Sequence, residues 1–220
     1  MATSPAQAAA VVELYTSEGC SSCPPADRWL STLKADPGVV ALAFHVDYWD
    51  RLGWKDRFSS AVFTERQASQ QTSSGARFNY TPQVVVDGKD SKGWPSAAVL
   101  GAPRPQSPVA LSLSRQGAHV SATVSASPRA PKRLAAYWAL TEQDHVSSVR
   151  AGENQGATLH HDFVVRDYKP VAPWPAQVDT PRTLGFDLIG ADDPAHRRDV
   201  NLVVVDADTG RPVQALKLGC

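Results

Sequence analysis

The sequence predicts an α/β domain followed by an all-β, sandwich-like domain, and three observations carry that prediction. In the first half, strand-like apolar runs alternate with helical patterns. A proline-rich stretch, Gly101–Pro108, breaks the alternation. Beyond it, short strand-like runs, several alternating apolar with polar residues, recur with turn residues between them, which is the texture of a sandwich. The expected organisation is an N-terminal tail at 1–10, an α/β domain at 11–100, a linker at 101–108 and a β domain at 109–220.

Each element has a local reason. Val11–Thr16 (VVELYT) is a short apolar run of strand-forming residues. Pro24–Ala35 reads as a helix whose prolines sit in the first turn, where a missing N–H costs nothing, and whose Trp29, Leu30 and Leu33 form a core-facing stripe. Asp36–Gly38 ends it. Val39–Asp47 is nearly all apolar, as a strand covered on both faces would be. The aromatic segment Tyr48–Phe58 shows no period, and Ser59–Thr72 reads as a second helix. Gln83–Val86 is a strand that ends in the hairpin signal Asp87-Gly88. In the second half, VALSLSR, AHVSATVSA, RLAAYWALTE, HDFVVRDY, TLGFDLIG and VNLVVVD are strand candidates, and Asp206–Val213 marks a hairpin.

Composition excludes several classes. The 42 % hydrophobic and 20 % charged residues are those of an ordinary globular chain of 220 residues. Basic and acidic residues balance at 22 each, so no field-driven binding of nucleic acid is expected. No apolar stretch approaches the ~20 residues of a membrane-spanning helix. The string ATSPAQAAA resembles the region around a signal cleavage site, and the expected address is periplasmic or secreted. With three cysteines, the chain has one close pair, Cys20 and Cys23, and a leftover, Cys220, read as an inert end.

The pair carries the chemistry. A strand leading into Cys-x-x-Cys at a helix start places thiols beside free N–H groups and a partial positive charge, which stabilise a thiolate. Cys20 is expected exposed at the tip as nucleophile, with Cys23 buried one turn in as the resolving thiol. A closed zinc site needs further ligands, and no second Cys-x-x-Cys or His-x-x-x-His exists. Thr81-Pro82 stands just before a strand, where proline is tolerated and where its neighbour's backbone is free to meet a substrate. Tyr48, Trp49, Trp54 and Gln83 are the expected substrate-binding residues, lying near the strand ends where ligand sites gather. Arg150, Glu153 and Asn154 are read as ordering a turn, and His160 and His161 as lying on opposite faces of one strand.

These segments also carry a resemblance. ELYTSEGCSSC resembles the first strand and active-site helix start of thioredoxins and glutaredoxins, FHVD their second strand, and ARFNYTPQVVVDG their cis-proline segment. More narrowly, ELYTSEGCSSCPPAD, HVDYWDRLGW and RAGENQGATLHHDFVVR resemble a family of secreted bacterial proteins of unknown function, thioredoxin-like with a β-rich C-terminal extension. The resemblance implies a thioredoxin-like fold at 11–100, Cys20 as nucleophile, Cys23 as resolving thiol, Thr81-Pro82 as the cis-proline element and Glu13 as a candidate proton shuttle. Glu18-Gly19 before the pair and Ser21-Ser22 within it depart from the thioredoxin pattern.

The leading expectation is a thiol–disulfide oxidoreductase acting on protein thiols or disulfides without a cofactor. Two alternatives stand beside it. One is a Cu(I)-binding protein using Cys20, Cys23 and His45, since thiolates suit soft metals. The other is a partner-binding module with a structural disulfide.

Overall fold

The computed structural model describes residues 1–74, 76–96, 100–101 and 103–220. Positions 75 and 97–99 of the expected α/β domain and 102 of the expected linker lie outside the described residues.

The elements in the first half fall close to where periodicity places them. They are β1 (Ala2–Thr3), β2 (Ala10–Thr16), α1 (Pro24–Ser31), β3 (Val39–His45), α2 (Ala61–Ser74), β4 (Gln83–Val86) and β5 (Lys89–Asp90). Helix α1 begins at Pro24 with Cys23 as N-cap and passes into a tighter turn, Thr32–Ala35. β4 turns into β5 through Asp87 and Gly88, both with positive φ, so the Asp-Gly pair supplies the left-handed residues this tight hairpin needs. The second half contributes β6 (Val109–Gln116), β7 (His119–Ala126), β8 (Arg133–Glu142), β9 (His145–Ser148), β10 (Thr158–His161), β11 (Val164–Pro175), β12 (Arg182–Asp187), β13 (Arg198–Asp206) and β14 (Pro212–Gly219).

The topology corrects the expected fold class. Among the described residues strand makes up 45 % and helix 13 %, so the molecule is mostly β rather than a thioredoxin-like α/β domain with an appended sandwich. β2, β3 and β4 do not form a sheet of their own. They join four strands of the second half in one eight-stranded sheet of order β14-β13-β8-β11-β3-β2-β4-β5. The seam is a short parallel pairing of β11 with β3, Val164 opposite Ala43. A smaller sheet, β1-β6-β7-β12, incorporates Ala2–Thr3 of the expected tail. Arg104, in the expected linker, is anchored by Asp87 and by the carbonyls of Ala8 and Ala9.

The physical reason lies in what covers the apolar run of β3. Its Val39, Ala41 and Ala43 face α1, packing with Ala26, Leu30 and Leu33. Its Val40, Leu42 and Phe44 face the other way, against Phe63 of α2 and against Tyr137, Ala139, Val203 and Ala215 of the second half. The large sheet therefore curls. β14 returns to the start of β2 and β3, where Gln214 accepts from the Ala9 amide at 3.0 Å and Lys217 Nζ donates to the Val39 carbonyl at 3.1 Å. Apolar sequence on both faces of a strand calls for two covers but does not say that one of them is a helix. A third core fills the space between the two sheets, with Trp138 and Phe186 stacked at 5.5 Å.

Inside the curl sits a buried ion pair. Glu13 of β2 meets Arg66 of α2, and the Tyr137 hydroxyl donates to the same carboxylate at 2.6 Å. The guanidinium lies 4.1 Å from the Tyr137 ring centre and 4.8 Å from that of Tyr168. Burial would disfavour the Arg66 charge, but Glu13 reverses that and holds its pKa well above the ordinary value. Arg66→Met removes one partner and strands a buried carboxylate. The expected loss is about 3–5 kcal/mol in urea unfolding, and Glu13→Gln in the same chain restores part of it. A loss near zero contradicts this role.

Candidate functional site

The cysteine motif is built where β2 ends and α1 begins. Cys20 and Cys23 are joined as a disulfide three residues apart in sequence. The turn between them is hydrogen-bonded, with the Cys23 amide donating to the Cys20 carbonyl at 3.2 Å. Ser21 and Ser22 are exposed, whereas both sulfur-bearing residues are 0 % exposed. Cys20, expected at an exposed tip, is thus buried.

The cover comes from the far half of the chain. The loop between β9 and β10 lays Glu153 and Asn154 over the motif. Asn154 Nδ2 donates to the carbonyls of Glu18 and Cys20 at 2.8 and 2.9 Å. The Ser21 amide and hydroxyl donate to Glu153 Oε2 at 3.1 and 2.8 Å, and these bonds hold the Glu153 carboxyl below its usual range. Gly152 allows this approach. It has a φ of +76°, and a Cβ there would come within 3.3 Å of the Trp54 Cβ. Glu153 and Asn154, read from sequence as ordering a turn, are the loop's contacts with the backbone and Ser21 of the cysteine turn.

The aromatic residues between β3 and α2 frame the motif. Trp49 Nε1 donates to Thr81 Oγ1 at 2.8 Å, and its Cβ lies 3.1 Å from where a side chain on Gly19 would begin. Trp49 thereby ties the turn before the cysteines to Thr81-Pro82, whose peptide bond is cis. Trp54 Nε1 donates to Glu18 Oε2 at 2.7 Å. Tyr48 is half-buried, with its hydroxyl 3.3 Å from Gln67. Gln83 is buried in a polar ladder with Gln67 and Asp90 and does not face the motif's surface. Glu13 is not brought to the disulfide either. Alternate residues of β2 face opposite ways: Thr16 reaches Asp27 on α1, and Glu13 points into the curl.

Beneath the motif lies a buried polar cluster. Asp27 (α1), His45 (β3), His161 (β10), Asp56 and Glu18 are all at most 6 % exposed. His45 Nδ1 is 2.7 Å from Asp56 Oδ2, which also accepts from the Glu18 amide at 2.9 Å. Burial opposes charge on both partners. The pairing overcomes it, raising the His45 pKa and holding the Asp56 carboxyl at about 2. His161 lies with Nδ1 3.4 Å from Asp27 Oδ1 and Nε2 3.6 Å from Glu18 Oε1. His160 is exposed on the other face of the strand. Among the described residues, the metal-capable grouping that includes His45 contains Asp27 and His161, not the cysteines. The two sulfurs, bonded to each other, offer no thiolate to copper in this form. Cys220 is free and exposed, beside Arg198 at the end of β14.

Sequence reasoning missed Asp27 and Asp56, which carry no motif of their own. Asp27 was available as the first-turn acid of α1, one turn from Cys23.

Residues 11–205 match the family described as "Protein of unknown function (DUF1223)". The chain belongs to that family. Family membership and the observed sheet replace the resemblance to thioredoxins and glutaredoxins. The chain is similar to the Agrobacterium tumefaciens protein AGR_C_4864, at 27 % identity and a TM-score of 0.71 over 96 % of this chain and 95 % of that one. It shares its fold with HBP35 of Porphyromonas gingivalis, at 16 % identity and a TM-score of 0.69 over 98 % of this chain and 76 % of that one. No curated protein matches the chain. Among the described residues no helix is long and apolar enough to cross a membrane, and the disulfide is compatible with secretion.

The lid predicts slow access to the disulfide. Asn154→Ala removes two hydrogen bonds at ~1 kcal/mol each, so reduction of Cys20–Cys23 by dithiothreitol should accelerate roughly tenfold or more. Time-resolved thiol titration in a Cys220→Ser background measures it, and an unchanged rate contradicts a closing role for the loop.

Proposed function

We propose that the protein is a thiol–disulfide oxidoreductase of the cell envelope, periplasmic or secreted, acting on protein dithiols or disulfides through Cys20 and Cys23. One observation carries the reading: the cysteines form a disulfide across a single turn at the N-terminus of α1. A loop that short gains little from cross-linking, which argues against a mere staple. The α1 N-terminus favours the thiolate form that exchange requires.

In the oxidising direction a substrate thiolate attacks Cys20 Sγ, the S–S bond breaks, and the electron pair leaves on Cys23. A second substrate thiolate attacks the mixed disulfide and releases Cys20 as thiolate. The substrate leaves as a disulfide, and the protein holds both electrons as its dithiol. The reverse sequence reduces a substrate disulfide, with Cys20 attacking and Cys23 resolving. Either direction requires the 150–156 loop to lift, because both cysteines are covered. Trp49, Trp54 and Tyr48 border the opened site and serve as the contact surface for substrate backbone and side chains, with Thr81 beside Trp49.

Trapping tests the proposal. In a Cys220→Ser background, Cys23→Ser is expected to accumulate a mixed disulfide through Cys20 with an envelope protein, visible by non-reducing electrophoresis and mass spectrometry. Cys20→Ser should accumulate none. Absence of any adduct, together with dithiol oxidation unchanged in Cys20→Ser, overturns the reading.

A further inference from the structure

The cluster under the cysteine motif has more order than the redox chemistry uses. We propose that Asp27, His45 and His161 form a binding site for one divalent transition-metal ion of the zinc class. This goes beyond the thiol reading and does not depend on it, because none of the three ligand atoms is sulfur.

Geometry is the first argument. One ligand atom from each of the three residues lies within 4.8 Å of the other two. The His161 Nδ1 to Asp27 Oδ1 separation is 3.4 Å. Ligands of a tetrahedral zinc ion, with bonds of 2.0–2.2 Å, stand roughly 3.3–3.6 Å apart. That pair is therefore already at coordination spacing, and the His45 ligand atom, within 4.8 Å of both, has to approach by up to roughly 1.5 Å to reach it. The imidazoles are set edge to face, ring centres 5.0 Å apart and planes at 78°, so they do not stack across the space between them.

An orphaned nitrogen points the same way. His45 is 0 % exposed, and its Nε2 has no hydrogen-bond partner. A buried, unpartnered imidazole nitrogen is costly unless something occupies its lone pair. Its other nitrogen is held by Asp56, which fixes the ring and leaves Nε2 as the free atom.

The outer layer around the three side chains is also polar. The second polar atoms of His45 and Asp27 are hydrogen-bonded to other side chains, and that of His161 has a carboxylate nearby beyond hydrogen-bond distance. Asp56 sits on His45 Nδ1, Glu18 Oε1 lies 3.6 Å from His161 Nε2, and Thr16 Oγ1 donates to Asp27 Oδ2 at 2.9 Å. Carboxylates behind imidazole ligands are the usual means by which proteins orient metal-binding histidines. Two nitrogens and one oxygen suit zinc, and are poor for calcium or magnesium, which want oxygen, and for Cu(I), which wants sulfur. With three protein ligands, the fourth position is left for water or an incoming group.

The test uses full-length protein carrying Cys220→Ser with the Cys20–Cys23 disulfide intact. The chain is unfolded without reductant, freed of metal with a chelator, and refolded with zinc or cobalt(II), so that burial does not block loading. The expected result is one retained equivalent of metal, a raised thermal midpoint, a tetrahedral cobalt spectrum, and X-ray absorption showing imidazole and oxygen neighbours with no sulfur. Asp56→Asn should weaken binding about 10–100-fold through the loss of His45 orientation. His161→Gln should abolish stoichiometric binding, and its fold is checked by circular dichroism. Should that variant not fold, the absorption spectrum of the unmutated site decides. No retained metal, sulfur in the coordination sphere, or unchanged affinity in a folded His161→Gln protein each overturns the site. Because the cysteines stay oxidised throughout, none of these outcomes bears on the exchange reaction.

Discussion

The pairing of Val164 with Ala43 is the constraint on which the rest of the structure depends. It is short, and the Ala43 amide donates to the Phe163 carbonyl at 2.8 Å beside it. Yet it is the hydrogen-bonded connection through which the strands of the second half join those of the first within the large sheet. Phe163 has a φ of +56°, a left-handed conformation that costs a non-glycine residue about 1–2 kcal/mol. Its buried ring, packed in the core under α1, offsets that cost. The sharp turn at Phe163 sends β10 across α1, which places His161 over His45 and Asp27. The same geometry carries the 150–156 loop onto the cysteines. A short backbone contact thus determines both the lid and the floor of the candidate site.

The two faces of the sheet treat buried charge differently. Inside the curl, Glu13 and Arg66 neutralise each other, and aromatic rings and hydroxyls meet most of what remains. Only Arg66 Nε lacks a hydrogen-bond partner among the three groups, Glu13, Arg66 and Tyr137, and the opposed charges are paired, so the network reads as structure. Under α1, three carboxylates share two imidazoles, and His45 Nε2 and His161 Nε2 lack hydrogen-bond partners. The incomplete network lies on the same side as the disulfide, where α1 begins. Polar groups left open in a buried site call for an explanation, and a bound or reacting group is one that accounts for several at once.

Much of the first half was legible because its signals are local. An unbroken apolar run gives β3, prolines at the first turn give α1, and Asp87-Gly88 gives the β4–β5 hairpin. The Cys-x-x-Cys pair and the opposite facing of His160 and His161 were equally readable. What periodicity does not encode is which edge a strand offers to which partner. The meeting of Ala43 with Val164 spans most of the chain, and with it went the fold class, the burial of Cys20 and the roles of Glu153 and Asn154. Glu13 shows the limit at finer scale. In a strand, one position decides the face, and its place opposite Tyr137 and Arg66 follows from the curl, not from neighbouring residues.

If one sheet holds both halves, they cannot unfold separately. Differential scanning calorimetry of the intact, oxidised protein measures this most directly. A shared sheet should give a single transition with equal calorimetric and van't Hoff enthalpies. Two resolved transitions, or a van't Hoff enthalpy well below the calorimetric one, would contradict it, because the first half would then be holding its own fold without the seam at Ala43.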